Sequence, residues 1–313
     1  GTSQIDLSAK FGVSQLQKGN LEMMSGAEYY DYVYTAYKNA GTLDSQGWLQ
    51  PYLRDRNFDW WDLATQNALT QNYNIGYRYG NDKIKSYVSG DYYTEEGTIK
   101  GFDYDRFTFR SNTDYIVNDR LTLKAKVAAS YKETFNQEYS LAHTSYTPWD
   151  TPWDSQGNLK DGSQGVPTAD AAPTANPDDY WYSDGGSNFL YDRDLSWSKS
   201  RNNGIDLGVG FDFKIIEGLT FESNNRIGFT NNYSSSYVDP NSRGGAGDGG
   251  SYSDGESNTR SIYTSQLLRF LKTFGEKHEI NAYLGYDYDE YRYWDLAATA
   301  HKIFSGAEII NAG

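Results

Sequence analysis

Alternation with a period of two dominates this chain. Between Thr70 and Tyr131 it sets Tyr73, Ile75, Tyr77 and Tyr79 against Asn72, Asn74, Gly76 and Arg78. It then sets Phe107 and Phe109 against Arg106, Thr108, Arg110, Asn112 and Asp114, and Leu121 to Tyr131 against Thr122, Lys124, Lys126 and Ser130. Apolar and polar residues alternating over ten positions predict strands with one apolar face. The pattern recurs along the chain and predicts nine strands, at about 4–15, 70–79, 84–93, 104–115, 121–131, 203–215, 219–233, 258–274 and 278–291.

The connections add direction. Those at Gly80–Lys83, Asn118–Arg120, Glu217–Gly218 and Gly275–His278 are tight, whereas 16–70, 94–103, 132–201 and 234–257 are longer. In an antiparallel meander this places every tight turn on one edge of the sheet and the loop mass on the other. Strands of about ten residues with short turns on one side and long loops on the other are the pattern of an outer-membrane barrel. Its apolar stripe faces lipid, its charged stripe a wet lumen, and Tyr79, Tyr92, Tyr93, Tyr115, Tyr131, Tyr286 and Tyr288 suit its interfacial girdles. A soluble β-sandwich with one wet face alternates in the same way. Nine strands cannot close a single-chain barrel, and open edges are intolerable in lipid, so a barrel reading makes this chain part of a larger one.

Composition narrows the function. A net charge of −14 with no basic stripe argues against nucleic acid. The absence of Cys removes disulfides and thiol chemistry, while 29 Tyr, 14 Phe, 8 Trp and 31 Gly suit a turn-rich β protein. No apolar run is long enough for a transmembrane helix. His143, His278 and His301 are not in a metal-ligand spacing, and Asp239, Asp248 and Asp254 lack the spacing of an EF-hand. No nucleophile, metalloprotease or phosphate-loop motif occurs, so neither enzyme activity nor a cofactor is expected.

The loops carry what remains. Ser25 and Glu28 form a capping-box pattern before Tyr29, Val33 and Tyr37, with Gly41 as C-cap, predicting a short helix in the first long loop. The loop 132–201 holds the near-repeat Thr147-Pro148-Trp149-Asp150, Thr151-Pro152-Trp153-Asp154, followed by Tyr180, Trp181 and Tyr182. Flat rings beside Asp and Asn grip sugars by stacking, which makes Trp149, Trp153, Tyr180 and Trp181 candidate substrate-binding residues; packing of the loop against itself or a partner protein is the competing reading. Trp60 and Trp61 stand at the foot of a loop and are expected to be structural or interfacial. The segment Gly244–Gly250 reads as a mobile glycine loop.

Several ordered pieces resemble the early barrel of SusC-like (SusC/RagA family) TonB-dependent outer-membrane transporters. These are Phe58-Asp59-Trp60-Trp61-Asp62, Thr70-Gln71-Asn72-Tyr73-Asn74, Gly80-Asn81-Asp82-Lys83 with Tyr87-Val88-Ser89-Gly90, Glu96 to Gly101, Asp105 to Asn112 and Asn118-Asp119-Arg120-Leu121. Segments 20–41 and 279–313 are similar as well. The resemblance implies an all-β fold, part of a 22-stranded transmembrane barrel of Bacteroidota, with a helix in the first extracellular loop. Residues 1–313 are then its early barrel strands, with the plug domain and the later strands lying outside the chain. It further implies import of an oligosaccharide, or a peptide, with a SusD-like lipoprotein lid and with energy from TonB acting through a plug segment. A soluble or surface-attached glycan-binding module and a passive porin or adhesin barrel are the alternatives.

Overall fold

The computed structural model describes residues 1–20, 22–137, 146–183, 188–275 and 278–310; His143 lies outside them, as do the middle residues of the last tight turn. Nine strands form one antiparallel sheet in strict sequence order: β1 (Thr2–Ser14), β2 (Ala68–Gly80), β3 (Ile84–Glu96), β4 (Phe102–Asn118), β5 (Leu121–Gln137), β6 (Trp197–Ile216), β7 (Leu219–Val238), β8 (Ser251–Phe274) and β9 (His278–His301). Among the described residues β1 and β9 do not pair, so the sheet is an open wall. The strands lengthen from 13 residues in β1 to 24 in β9. Most run past the ends that alternation predicts, because beyond the apolar stretch both faces are polar, as in Ser251 to Ser257 of β8. The β3–β4 connection accordingly shrinks to 97–101, a turn rather than a loop.

Two of the tight turns have a local cause. The Asn81 side chain accepts from the backbone N–H of Lys83 and Ile84, and that of Asn118 from Arg120 and Leu121. In both, the Asn carboxamide substitutes for a backbone acceptor.

Register sets the tilt. The row of paired residues that ends β2 at Gly80 continues through Lys85, Asp114, Lys124, Gly210 and Asn224 to Ser265, nine residues short of the end of β8 at Phe274. If the turn edge is level, this stagger over six strand steps corresponds to a tilt of about 45°, given a rise of about 3.3 Å per residue and strands about 4.8 Å apart. On that slope the apolar outward positions fall into one level belt: Ile5–Val13 of β1, Leu69–Tyr77 of β2, Leu121–Tyr131 of β5, Ile205–Phe213 of β6 and Ile280–Tyr288 of β9. Ten residues at this tilt rise about 23 Å, close to the roughly 25 Å apolar band of outer-membrane barrels. Most of its members are exposed, Leu7 and Leu284 each at 73%.

Four polar residues interrupt the belt on β7 and β8, and they satisfy one another. Thr264 donates to Asn225 at 2.6 Å, Gln266 to Thr264 at 2.7 Å and Asn225 to Ser223 at 3.0 Å. Mutual hydrogen bonding is what a polar group needs in an apolar medium. Above the belt the outward face turns charged: Arg260 and Arg292 both reach Glu290, at 2.9 and 2.5 Å. One girdle assignment changes. Tyr93 pairs with Asn72 and Arg106 on the polar face, with the Arg106 guanidinium 5.2 Å from its ring centre, so of the Tyr92–Tyr93 pair only Tyr92 points outward.

Buried aromatic residues are concentrated in the loops. The helix α1 (Gly26–Ala40) has both halves of its capping box, Ser25 and Glu28, and Gly41 closes it at φ 70°. A second helix, α2 (Trp60–Ala64), leads into β2, and α3 (Phe189–Arg193) precedes β6. The glycine segment is not a bare loop: Ser242 caps a single-turn helix, α4 (Arg243–Ala246), and Gly250 turns the chain at φ 74°, where a Cβ would lie 2.8 Å from Pro240.

Candidate functional site

Two regions face the space a ligand could occupy: the folded loop cap and the polar face of the sheet. The cap joins segments 15–67 and 146–196 through two aromatic clusters. Tyr30, Leu49, Leu53, Trp149 and Tyr182 form the first, and Trp60, Tyr146, Trp181 and Phe189 the second.

The near-repeat splits into unlike halves. Trp149 is 1% exposed, lies against Tyr29, Trp48 and Tyr182, and donates its indole N–H to the carbonyl of Gly26 at 3.2 Å. Asp150 is fully buried and accepts from the Tyr182 amide at 2.6 Å, from the Thr147 hydroxyl at 2.9 Å and from Ser183. Burial raises its pKa against the pull of these donors. In the second copy Trp153 is 41% exposed with one edge toward Phe58, and Asp154 is a surface turn residue accepting from the amides of Gln156 and Asn158.

Burial therefore corrects half of the aromatic assignment. Trp149 and Trp181, 1% and 2% exposed, have no ring face to offer a ligand and hold the cap together. Trp181 also sits under the buried Lys160 ammonium, 5.4 Å from its ring centre; that ammonium donates to the Tyr180 carbonyl at 2.8 Å, and burial lowers its pKa. Trp153 is exposed and Tyr180 half-buried, so both keep ring surface toward solvent. Trp60 is buried and stacks on Tyr146 at 4.3 Å, as a structural residue should. Two of the three acids at 239–254 are already engaged: Asp239 accepts from Tyr237 and Ser305, and Asp254 from Tyr233 and Tyr252, while Asp248 lies exposed.

The polar face carries ion pairs between neighbouring strands: Arg78 with Asp6, Arg106 with Asp91, Lys124 with Asp212 and Arg226 with Asp206. At mid-height it is hollowed by a groove of about 480 Å³. Gly208 and Gly210, paired with Lys126 and Lys124, form part of its floor, and Arg110, Lys126 and Arg226 line it. Sequence reading placed Arg110 and Lys126 on the polar face but did not single them out. Seeing them converge requires the β4–β5 and β5–β6 registers.

No family model matches the chain. TonB-dependent receptor P26 of Formosa agariphila is 25% identical over 288 residues, which cover 90% of this chain and 27% of that protein. TonB-dependent receptor P3 of the same organism is 24% identical over 236 residues, covering 75% and 23%. The chain thus spans about a quarter of the length of these curated relatives. Among solved structures, the RagAB peptide importer in its open-open and closed-closed states superimposes with TM-scores of 0.76 and 0.74 at 19% identity, over 37% of the neighbour's chain and nearly all of this one. The comparisons bear out the resemblance to SusC-like TonB-dependent transporters read from residues 58–131. The fold is a stretch of such a transporter's antiparallel barrel wall, and these relatives are receptors and transporters, not enzymes.

Proposed function

We propose that this chain is the early barrel wall, strands one to nine, of an outer-membrane transporter that imports a nutrient oligosaccharide with energy from TonB. The observation that carries the reading is the level apolar belt about 23 Å high, which follows from register and sequence together. In this reading the tight turns are periplasmic and the loop cap extracellular. A plug domain, the later strands and the TonB-contacting segment belong to the remainder of the protein, and a SusD-like surface lipoprotein covers the mouth. The chain's own residues do no covalent chemistry. They provide a sealed wall, a wet polar face and, in Trp153 and Tyr180, rings that can stack on a sugar. A second reading, peptide import, is supported by the structural neighbours, which are states of the RagAB peptide importer.

Uptake of labelled oligosaccharides and peptides by cells expressing the full-length gene tests both. Uptake is expected to fall to background when TonB is removed, and retention of the oligosaccharide to weaken about ten-fold in the Trp153→Ala, Tyr180→Ala variant, the loss of roughly 1.4 kcal/mol of stacking. Uptake that persists without TonB identifies a passive pore instead.

A further inference from the structure

We infer that the outward face just above the apolar belt is a docking surface for the phosphorylated headgroups of outer-leaflet lipid, built from one four-residue unit that occurs twice. The inference rests on the barrel reading and adds a lipid partner to it. Unlike the polar face, this surface points away from the barrel interior, so the plug does not stand opposite it. Its first support is distribution. The outward-facing cations of the strands are Lys199 and Arg201 of β6, Arg260 and Lys272 of β8 and Arg292 of β9, and the other strand cations project from the polar face. Lys272 stands at the turn edge beside Glu217, and the remaining four lie just above the belt.

Repetition is the second support. On β5, Tyr131 tops the belt and donates to Glu133 at 2.6 Å, and Glu133 takes Lys199 at 2.8 Å and Arg201 at 2.7 Å. On β9, Tyr288 donates to Glu290 at 2.8 Å, and Glu290 takes Arg260 at 2.9 Å and Arg292 at 2.5 Å. Register makes the two units level. Glu133 stands nine residues above Lys124 of the reference row, and Glu290 three above Asp287; at nine residues per six steps, that row climbs six over the four steps between them. Open donors are the third support. Arg201 and Arg292 engage their carboxylates through Nε, so their terminal nitrogens have no partner among the described residues, and the side chains are 43% and 62% exposed. Arg201 lies inside the sheet, with β5 and β7 on either side, so its neighbours on this face belong to the chain. Asp105 of β4, opposite Glu133, is held by Tyr92 on the side away from Arg201. With Glu96 and Asp103 it makes the β3–β4 sector acidic, which confines the cations to β5–β9. An Arg fork takes two oxygens of a phosphate, and cations at headgroup depth are drawn to anionic lipid.

The test uses the full-length transporter in detergent, titrated with a bis-phosphorylated glucosamine lipid or its dephosphorylated counterpart, with bound lipid counted by native mass spectrometry. The phosphorylated lipid is expected to be retained about ten-fold more tightly, as open Arg forks on phosphate predict. The preference should fall to about one in a variant combining Lys199→Gln, Arg201→Gln, Arg260→Gln and Arg292→Gln with Glu133→Gln and Glu290→Gln, in which no carboxylate is left without its cations. Arg201→Gln with Glu133→Gln is the milder variant and should lower the preference about three-fold. Removing charge from the other face, by Arg110→Gln with Lys126→Gln, should leave it unchanged. Heat-modifiable migration checks that each variant is folded. A preference absent from the parent, unmoved by the outward substitutions or lost equally with the polar-face pair overturns the proposal. So does displacement of the lipid by inorganic phosphate, which would describe a site for free anions. Lipid retention does not depend on TonB, so failure here leaves the import reading standing, and the uptake assay tests that separately.

Discussion

Replacing Val209 with Arg is expected to destabilise the folded barrel by about 2–4 kcal/mol, although Val209 is 64% exposed. Val209 pairs with Ala125 on the outward face and lies near the middle of the apolar belt. In water, a charge at an exposed strand position away from special features changes stability by about 0.5 kcal/mol or less. In lipid the same guanidinium loses its hydration; Leu207 and Phe211 offer it no acceptor, and the Asn225 side-chain carbonyl opposite is already taken by Thr264 and Gln266. The matching substitution on the polar face, Thr230→Arg, should stay within about 1 kcal/mol, since its side chain remains wet. Urea titration of the full-length protein in bilayers, followed by heat-modifiable migration, measures both. Near-equal, small effects would describe a soluble sheet.

The second large effect is expected at Trp149→Ala. Its indole fills the centre of the first loop cluster, touching Tyr29, Tyr30, Trp48 and Tyr182, and its N–H ties segment 146–196 to the start of α1. Emptying a buried Trp site costs about 3–5 kcal/mol, and the cost falls on the cap alone because the barrel ladder does not depend on it. Limited proteolysis of the folded transporter should therefore cleave within the loops of Trp149→Ala and leave the strands protected. Trp153→Ala, with the same tripeptide context but a half-exposed ring, should remain as resistant as the parent. Equal cleavage of the two variants would contradict the division of the near-repeat.

That division shows where sequence was informative and where it was not. The nine strands were legible because an apolar face and a polar face impose a strict period of two, which Ile205 to Phe213 displays without interruption. Strand ends were not: residues such as Ser198 to Asn202 in β6 stand above the belt, where both faces are polar and the alternation disappears. The α1 caps were legible because capping is local, three residues from Ser25 to Glu28. The fates of Trp149 and Trp153 were not, since the deciding partners, Tyr182 and Ser183, lie about thirty residues away and bind Asp150 rather than Asp154. Arg110 and Lys126 read as two ordinary polar-face residues until register set them beside Gly208.

The central claim is that one face of this sheet meets lipid and the other water. It is tested most directly on β6 of the full-length protein reconstituted in bilayers, with single nitroxide labels at Leu207, Val209 and Phe211 and at Asp206, Gly208 and Asp212. Gly210 is unsuitable, because a Cβ there would lie 2.5 Å from the Ser223 carbonyl. Collision with oxygen, which concentrates in the bilayer, and with a water-soluble nickel complex reports each label's surroundings. The account predicts that the three odd-numbered positions are oxygen-accessible and shielded from nickel, with the three even-numbered positions reversed. Nickel accessibility on both faces would contradict it.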